Sequence, residues 1–191
     1  MPLSAAISVL TAARLRQIRA HLKRGGVIAY PTESCYGLGC DPRNRRAVMK
    51  LLRLKGRPQS KGLILIGAKF SQLQPYALPL TEMQWRRIDS TWPGPVTWLL
   101  PAARRTPSWL RGSHDSIALR VTAHPLAAAL CRGVNTALVS TSSNRSGLKS
   151  ARTHADCIRA FGPEVLVLPG LIGKRKRPSI IMDMASGARL R

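Results

Sequence analysis

The chain has 191 residues, 45% of them apolar, enough for one substantial core and better suited to a single globular domain than to two very small ones. Thirty-one Lys and Arg stand against eight Asp and Glu, and the resulting formal charge of +23 is spread along the whole chain, which points to a polyanionic partner, most simply RNA. Composition argues against other classes: residues 1–10 lack a signal-peptide pattern, no apolar run approaches the ~18 residues of a membrane span, and Cys35, Cys40, Cys131 and Cys157 form no C-x-x-C pair and stand at no metal-ligand spacing from a histidine.

In chain order, Thr11 is placed to cap a helix carrying Leu15, Ile18 and Leu22 at helical spacing, and Gly25-Gly26 ends it. Val27 to Tyr30 reads as a buried strand running into a glycine-bearing polar loop, Thr32 to Gly39. Asp41-Pro42 has the form of a helix start for a segment with Val48, Leu51, Leu52 and Leu54 on its apolar side. Leu63 to Ile66 is expected as a strand, Thr81 to Ile88 as a helix, and Val96 to Leu100 and Ile117 to Val121 as strands. There follow a helix from Pro125 to Cys131, a strand from Ala137 to Ser140, a helix from Thr153 to Phe161, and strands at Val165 to Leu168 and Ser179 to Met182. Long loops are expected at 101–116 and 170–178, the second carrying the basic run Lys174 to Arg177. Helices and strands alternate without a break in composition, so one α/β domain with a mixed, twisted sheet is expected over residues 7–191.

Several residues are candidates for chemistry. Thr32, Ser34, Gly37 and Gly39 fit either an amide-and-hydroxyl cradle for an anion or a capped turn whose glycines only permit positive φ. Lys55 and Arg57 fit phosphate contacts or a solvated helix end. Arg120 follows Ile117-Ala-Leu on an apolar strand, where an unpaired charge is costly, so it should meet an anion, either a ligand or an internal carboxylate. Ser140 to Asn144 places hydroxyls and an amide at a strand end, suited to orienting phosphate or carboxylate oxygens or to closing a turn on its own backbone. Cys35 has no nearby histidine to activate it and defaults to a small buried hydrophobe, while Trp85, Trp92, Trp98 and Trp109 read as core rather than base-stacking residues. With so few acids, no carboxylate cluster for metal-centred catalysis is expected, and a metal would arrive on the phosphates of a substrate.

Taken together, Tyr30-Pro-Thr-Glu33 with Tyr36-Gly-Leu-Gly39, the K-x-R-P at Lys55 to Pro58, Lys61 to Ile66, Trp92-Pro-Gly-Pro-Val-Thr97, Ser116 to Arg120, His124-Pro-Leu126, the S-x-N at Ser142 to Asn144 with Ser146-Gly147, and Pro178 to Asp183 resemble the YrdC/TsaC-type family of threonylcarbamoyl-adenylate synthases. The resemblance runs from about Leu15 to Arg191 and is to the short single-domain form. It implies a YrdC-like α/β fold around a concave basic cleft. It also implies a reaction in which L-threonine, bicarbonate and ATP give threonylcarbamoyl-adenylate and pyrophosphate, the first step toward N6-threonylcarbamoyladenosine in tRNA. By the same resemblance, Thr32, Arg120, Ser140 and Ser179 would hold threonine, and Lys55, Arg57, Ser116, Ser142, Asn144 and Arg191 would hold ATP or the adenylate. No residue is expected as nucleophile or base, and Mg²⁺ would be carried with ATP. Lys61-Gly62 stands where many relatives carry Asn-Pro, and Arg191 lacks the residues that usually follow it.

The partners implied are ATP, L-threonine, bicarbonate, weakly bound tRNA and a downstream threonylcarbamoyl-transferase complex, in the cytoplasm and away from membranes. A different class, a non-catalytic basic RNA-binding module, is suggested by the charge alone. A carbamoyl-transfer enzyme acting on a protein thiol is a further alternative, since similar domains occur in hydrogenase-maturation proteins.

Overall fold

The computed structural model describes residues 9–191, so the expected domain start at residue 7 lies outside the described residues. Fourteen α and β elements follow in chain order: α1 (Ala12–Lys23), β1 (Val27–Pro31), β2 (Tyr36–Gly39), α2 (Arg45–Lys55), β3 (Ile64–Gly67), α3 (Glu82–Asp89), β4 (Val96–Pro101), α4 (Ser108–Arg111), β5 (Ser116–Val121), α5 (Pro125–Val134), β6 (Leu138–Ser142), α6 (His154–Phe161), β7 (Val165–Val167) and β8 (Ile180–Asp183). All the strands join one eight-stranded sheet in the order β7-β1-β2-β6-β3-β5-β4-β8. It is mixed, as expected: β1–β7, β3–β5 and β4–β8 are parallel, and the other neighbours are antiparallel.

Alternation along the strands divides the core into two layers. Val27, Ala29, Leu65 and Val139 face a larger cluster with Val48 and Leu51 of α2, Ile88 of α3 and Phe161 of α6. Ile28, Tyr30, Ile66 and Leu138 face a smaller one with Ile18 and Leu22 of α1 and Leu126 and Leu130 of α5. Trp92 and Trp98 are buried in the first layer, and their indole N–H groups donate to the Val96 carbonyl at 2.7 Å and the Thr91 hydroxyl at 2.9 Å. This is the core role expected of them.

Helix ends follow local chemistry. Thr11 caps α1, and reciprocal capping boxes start α3 (Thr81 with Gln84) and α6 (Thr153 with Asp156). Two expectations need correction. The start expected at Asp41-Pro42 belongs instead to Asn44, whose side chain accepts from the Ala47 N–H at 3.1 Å; the Asp41 carboxylate accepts from the Arg43 N–H at 2.9 Å and closes a turn ahead of the helix. The expected glycine loop is largely strand β2, paired antiparallel with β1. Gly39 is needed there for close approach, since a Cβ would lie 2.5 Å from the Val139 carbonyl oxygen.

The smaller layer is covered by α1 and α5 over only part of its width. Toward β3, β5, β4 and β8 the same face stays open and becomes the floor of a cleft.

Candidate functional site

Sheet register builds the cleft floor. Ser140, Ile64, Ala118 and Leu99 are successive cross-strand partners on β6, β3, β5 and β4, and Arg120 stands one pleat along β5 from Ala118. Loops supply the walls: the turn after β1 brings Thr32, the segment after α2 brings Arg57 and Lys61, the loop around α4 brings Arg111 and His114, and the chain on either side of β8 brings Ser179 and Arg191. The enclosed volume is about 460 Å³, within the range of small-molecule sites. Five cations (Arg57, Lys61, Arg111, Arg120 and Arg191) and eight hydroxyl side chains line it, and among the described residues no Asp or Glu side chain does.

Eight of the ten residues expected from sequence line this cleft: Thr32, Arg57, Ser116, Arg120, Ser140, Ser142, Ser179 and Arg191. Lys55 and Asn144 stand behind its wall. The buried Lys55 ammonium donates to the Ser142 carbonyl, to the Asn144 carbonyl at 2.8 Å and to Asn144 Oδ1 at 3.3 Å. Asn144 Oδ1 also accepts from the Ser142 hydroxyl at 2.6 Å, while its amide donates to the Arg145 and Leu148 carbonyls. The two residues therefore fix the shape of the strand end that presents Ser142. Burial, followed by the nearby Arg57 charge, pulls the Lys55 pKa down to about 8.

Arg120 meets an internal carboxylate and the cleft together. Its Nη2 lies 3.4 Å from Glu33 Oε2, and the Thr122 hydroxyl donates to Glu33 Oε1 at 2.7 Å. Burial would raise the Glu33 carboxyl, but the Arg120 charge and the Thr122 bond outweigh it and hold it below its ordinary value. Arg120 Nε is buried without a hydrogen-bond partner among the described residues, and the arginine lines the cleft. Arg57 is held by the Gly62 carbonyl, accepting from Nε at 3.2 Å and Nη2 at 2.9 Å, and by the Lys61 carbonyl at 3.2 Å.

Arg191 reaches the cleft because the C-terminal segment runs back along β8. The Ile181 N–H donates to the Arg191 carbonyl at 3.1 Å and the Leu190 N–H to the Ile181 carbonyl at 2.8 Å, and the Arg191 guanidinium then donates to the Ser179 carbonyl and hydroxyl, each at 3.2 Å. Partial burial and the charges of Arg120 and Arg57 lower its pKa, as expected for cations gathered at one site.

Sequence reasoning missed Arg111 and His114, which lie in a stretch expected as plain loop. The one available signal was Gly112, at φ +68°, where a Cβ would lie 2.2 Å from the Ser60 carbonyl oxygen. Only glycine lets this loop cross the Ser60–Gly62 turn closely enough to complete the cleft wall. Cys35 is half-buried at the cleft edge, the other cysteines are buried, and all four are free thiols. Among the described residues no group of three His, Cys, Asp or Glu side chains could hold a metal ion, and no helix is long and apolar enough to cross a membrane.

The Sua5/YciO/YrdC family, described as "Telomere recombination", matches residues 20–191. Threonylcarbamoyl-AMP synthases of Methylobacillus flagellatus and Thiobacillus denitrificans are 57% and 55% identical to this chain, over 93% and 91% of its length and 99% and 93% of theirs. P. abyssi Sua5 complexed with L-threonine has a TM-score of 0.83 at 28% identity, covering 91% of this chain and 52% of that one, so the present chain spans about half the length of that protein. E. coli YciO shares the fold, with a TM-score of 0.77 at 24% identity over 88% of this chain and 82% of its own. A match over most of its length, with relatives more than half identical, shows that the chain belongs to the Sua5/YciO/YrdC family.

Proposed function

We infer that this chain is a threonylcarbamoyl-AMP synthase. The observation that carries the reading is a cleft lined by five cations and eight hydroxyls and, among the described residues, by no Asp or Glu side chain, in a chain whose near full-length relatives bear that name. Those names favour an adenylate-forming enzyme over a non-catalytic RNA-binding module. The reaction joins the threonine amine to bicarbonate with loss of water; a carbamate oxygen then attacks the α-phosphorus of ATP as the bond to pyrophosphate breaks. Negative charge grows on the α-phosphate and the leaving group, so positioning and fixed cations supply the catalysis and no protein nucleophile is needed.

In this reading Arg120 holds the threonine carboxylate, with Thr32, Ser140 and Ser179 around it. Arg57, Ser116, Ser142 and Arg191 hold the nucleotide phosphates, and Lys55 and Asn144 act on them by shaping the 142–144 strand end. Lys61 and Arg111, on the cleft wall, add charge for the triphosphate. Mg²⁺ enters as part of the ATP substrate, since among the described residues no Asp or Glu side chain lines the cleft to hold it. The product passes to a threonylcarbamoyl-transferase complex that modifies tRNA, with which this chain makes weak electrostatic contacts in the cytoplasm. The four unpaired thiols agree with that compartment.

The direct test is to incubate the protein with MgATP, L-threonine and ¹³C-bicarbonate and to weigh the nucleotide product. The reading expects an AMP adduct carrying both threonine and the labelled carbon. A plain threonyl-AMP, without the label, would overturn the carbamate step.

A further inference from the structure

The His124-Pro-Leu126 segment is part of the family resemblance, and the reaction steps leave it without a task. The His124 imidazole is buried, in a residue only 7% exposed, and it is bonded at both ring nitrogens. Nδ1 accepts from the Ala127 N–H at 3.4 Å, which makes His124 the cap of α5, and Nε2 stands 3.2 Å from the Leu171 carbonyl. A backbone N–H can only donate and a carbonyl can only accept, so the two partners select the neutral ring with its proton on Nε2. Burial outweighs the Leu171 and Glu33 contacts and pulls the His124 pKa below its ordinary value, in keeping with that form. The His124 N–H also donates to the Thr122 hydroxyl at 3.2 Å, the same hydroxyl that donates to Glu33 beside Arg120.

Leu171 belongs to the segment 168–179, which leaves β7 at one edge of the sheet and enters β8 at the other. On its way this strap is fastened along the turn after β1. The Gly173 N–H donates to the Thr32 carbonyl at 2.9 Å, the Arg175 N–H to the Glu33 carbonyl at 3.1 Å, and the Tyr36 hydroxyl to the Gly170 carbonyl at 2.7 Å. Tyr36 and His124 thus hold consecutive carbonyls of the strap from two different elements. Glycines permit the close approach: a Cβ on Gly170, at φ +152°, would lie 2.9 Å from Pro31 Cγ, and one on Gly173 would lie 2.6 Å from the Glu33 carbonyl oxygen. The strap then delivers Pro178 and Ser179 to the cleft, while His124 itself does not line it.

We propose that His124 is a positioning residue for the threonine half of the site: its Nε2–H holds the 168–179 strap against Thr32 and Glu33, and so sets where Thr32 and Ser179 stand. The assignment of threonine to those two residues rests on the synthase reading; the fastening of the strap does not.

Two substitutions separate the two ring bonds. Asparagine places its amide oxygen near the position of Nδ1 and keeps the cap, but is too short for Leu171; glutamine places its amide nitrogen near the position of Nε2 and keeps the strap donor, but gives up the cap. The test is hydrogen-exchange mass spectrometry of peptides spanning 170–178 in the intact protein, together with melting temperature and steady-state kinetics. His124→Asn should exchange the strap amides about three- to tenfold faster and raise KM for threonine by a similar factor, with KM for ATP and the melting temperature little changed. His124→Gln should keep strap exchange and KM for threonine near those of the unaltered protein while melting about 2–4 °C lower. Gly173→Ala, which displaces the strap from Glu33 without touching the ring, should reproduce the threonine defect. Unchanged exchange and unchanged KM for threonine in His124→Asn or in Gly173→Ala would overturn the proposal. So would defects in both histidine variants that simply follow the melting temperature, which would leave His124 a helix cap only. The exchange readout needs no turnover, so a protein that releases no pyrophosphate would defeat the synthase reading while the role of His124 in holding the strap is still decided.

Discussion

Arg57 and Arg120 are both held by the protein before any substrate arrives, but by different partners, and this separates their expected mutant behaviour. Arg57 is oriented by the neutral carbonyls of Lys61 and Gly62, so its charge remains available to a phosphate. Arg57→Ala should lower kcat/KM for ATP by more than tenfold with little change in melting temperature, since a charge-assisted contact contributes ~1.5–3 kcal/mol. Steady-state kinetics with thermal melting checks this, and unchanged kinetics would return Arg57 to the solvated surface. Arg120 is paired with the partly buried Glu33, so Arg120→Ala strands a carboxylate and should destabilise the fold by ~3–5 kcal/mol besides weakening threonine more than ATP. Arg120→Ala/Glu33→Gln should recover much of the stability while threonine affinity stays low. Calorimetric titration showing threonine binding restored in the double variant would make the arginine a structural ion-pair member only.

At the scale of elements, the cleft depends on loops locked by groups behind it, and Lys55 is the clearest case. Its ammonium feeds three oxygens of the 142–144 strand end. With a pKa near 8, it is mostly protonated at neutral pH and loses its proton as pH rises through that value, leaving at most two N–H groups for three acceptors. kcat/KM for ATP should therefore fall as pH rises above about 8, and Lys55→Arg should move this alkaline limb to higher pH. A pH–rate profile with the same limb in both proteins would detach it from Lys55. The K-x-R spacing singled out both residues but not their division of labour. A lysine at the end of an apolar helix reads the same whether it faces a ligand or the back of a neighbouring strand end. The β1–β2 hairpin was obscured for a related reason. Gly37 and Gly39 carry a turn signature, yet they serve strand β2, where Gly39 leaves room for the Val139 backbone.

At the scale of the whole molecule, the alternating helix and strand patterns made the α/β class and the mixed sheet legible, because each strand carries a local apolar signal. The gathering of Ser140, Ile64, Ala118 and Leu99 into one floor was not legible, since it comes from register between strands far apart in sequence. Arg111 escaped notice for the same cause: the contact that matters is between two glycine-bearing turns around residues 60–62 and 111–113, and no periodicity reports it. Arg191 was found only through resemblance. Its position depends on the C-terminal segment folding back along β8, which anchors the guanidinium on Ser179. The assembled cleft gathers five cations from four separate stretches of chain at one anion site, where they act together on a carbamate and an α-phosphate. The measurement that tests this most directly is pyrophosphate release from MgATP by the purified protein, with threonine and bicarbonate omitted in turn. Release that requires both is the predicted result, and equal release with serine in place of threonine, or with no amino acid at all, would contradict it.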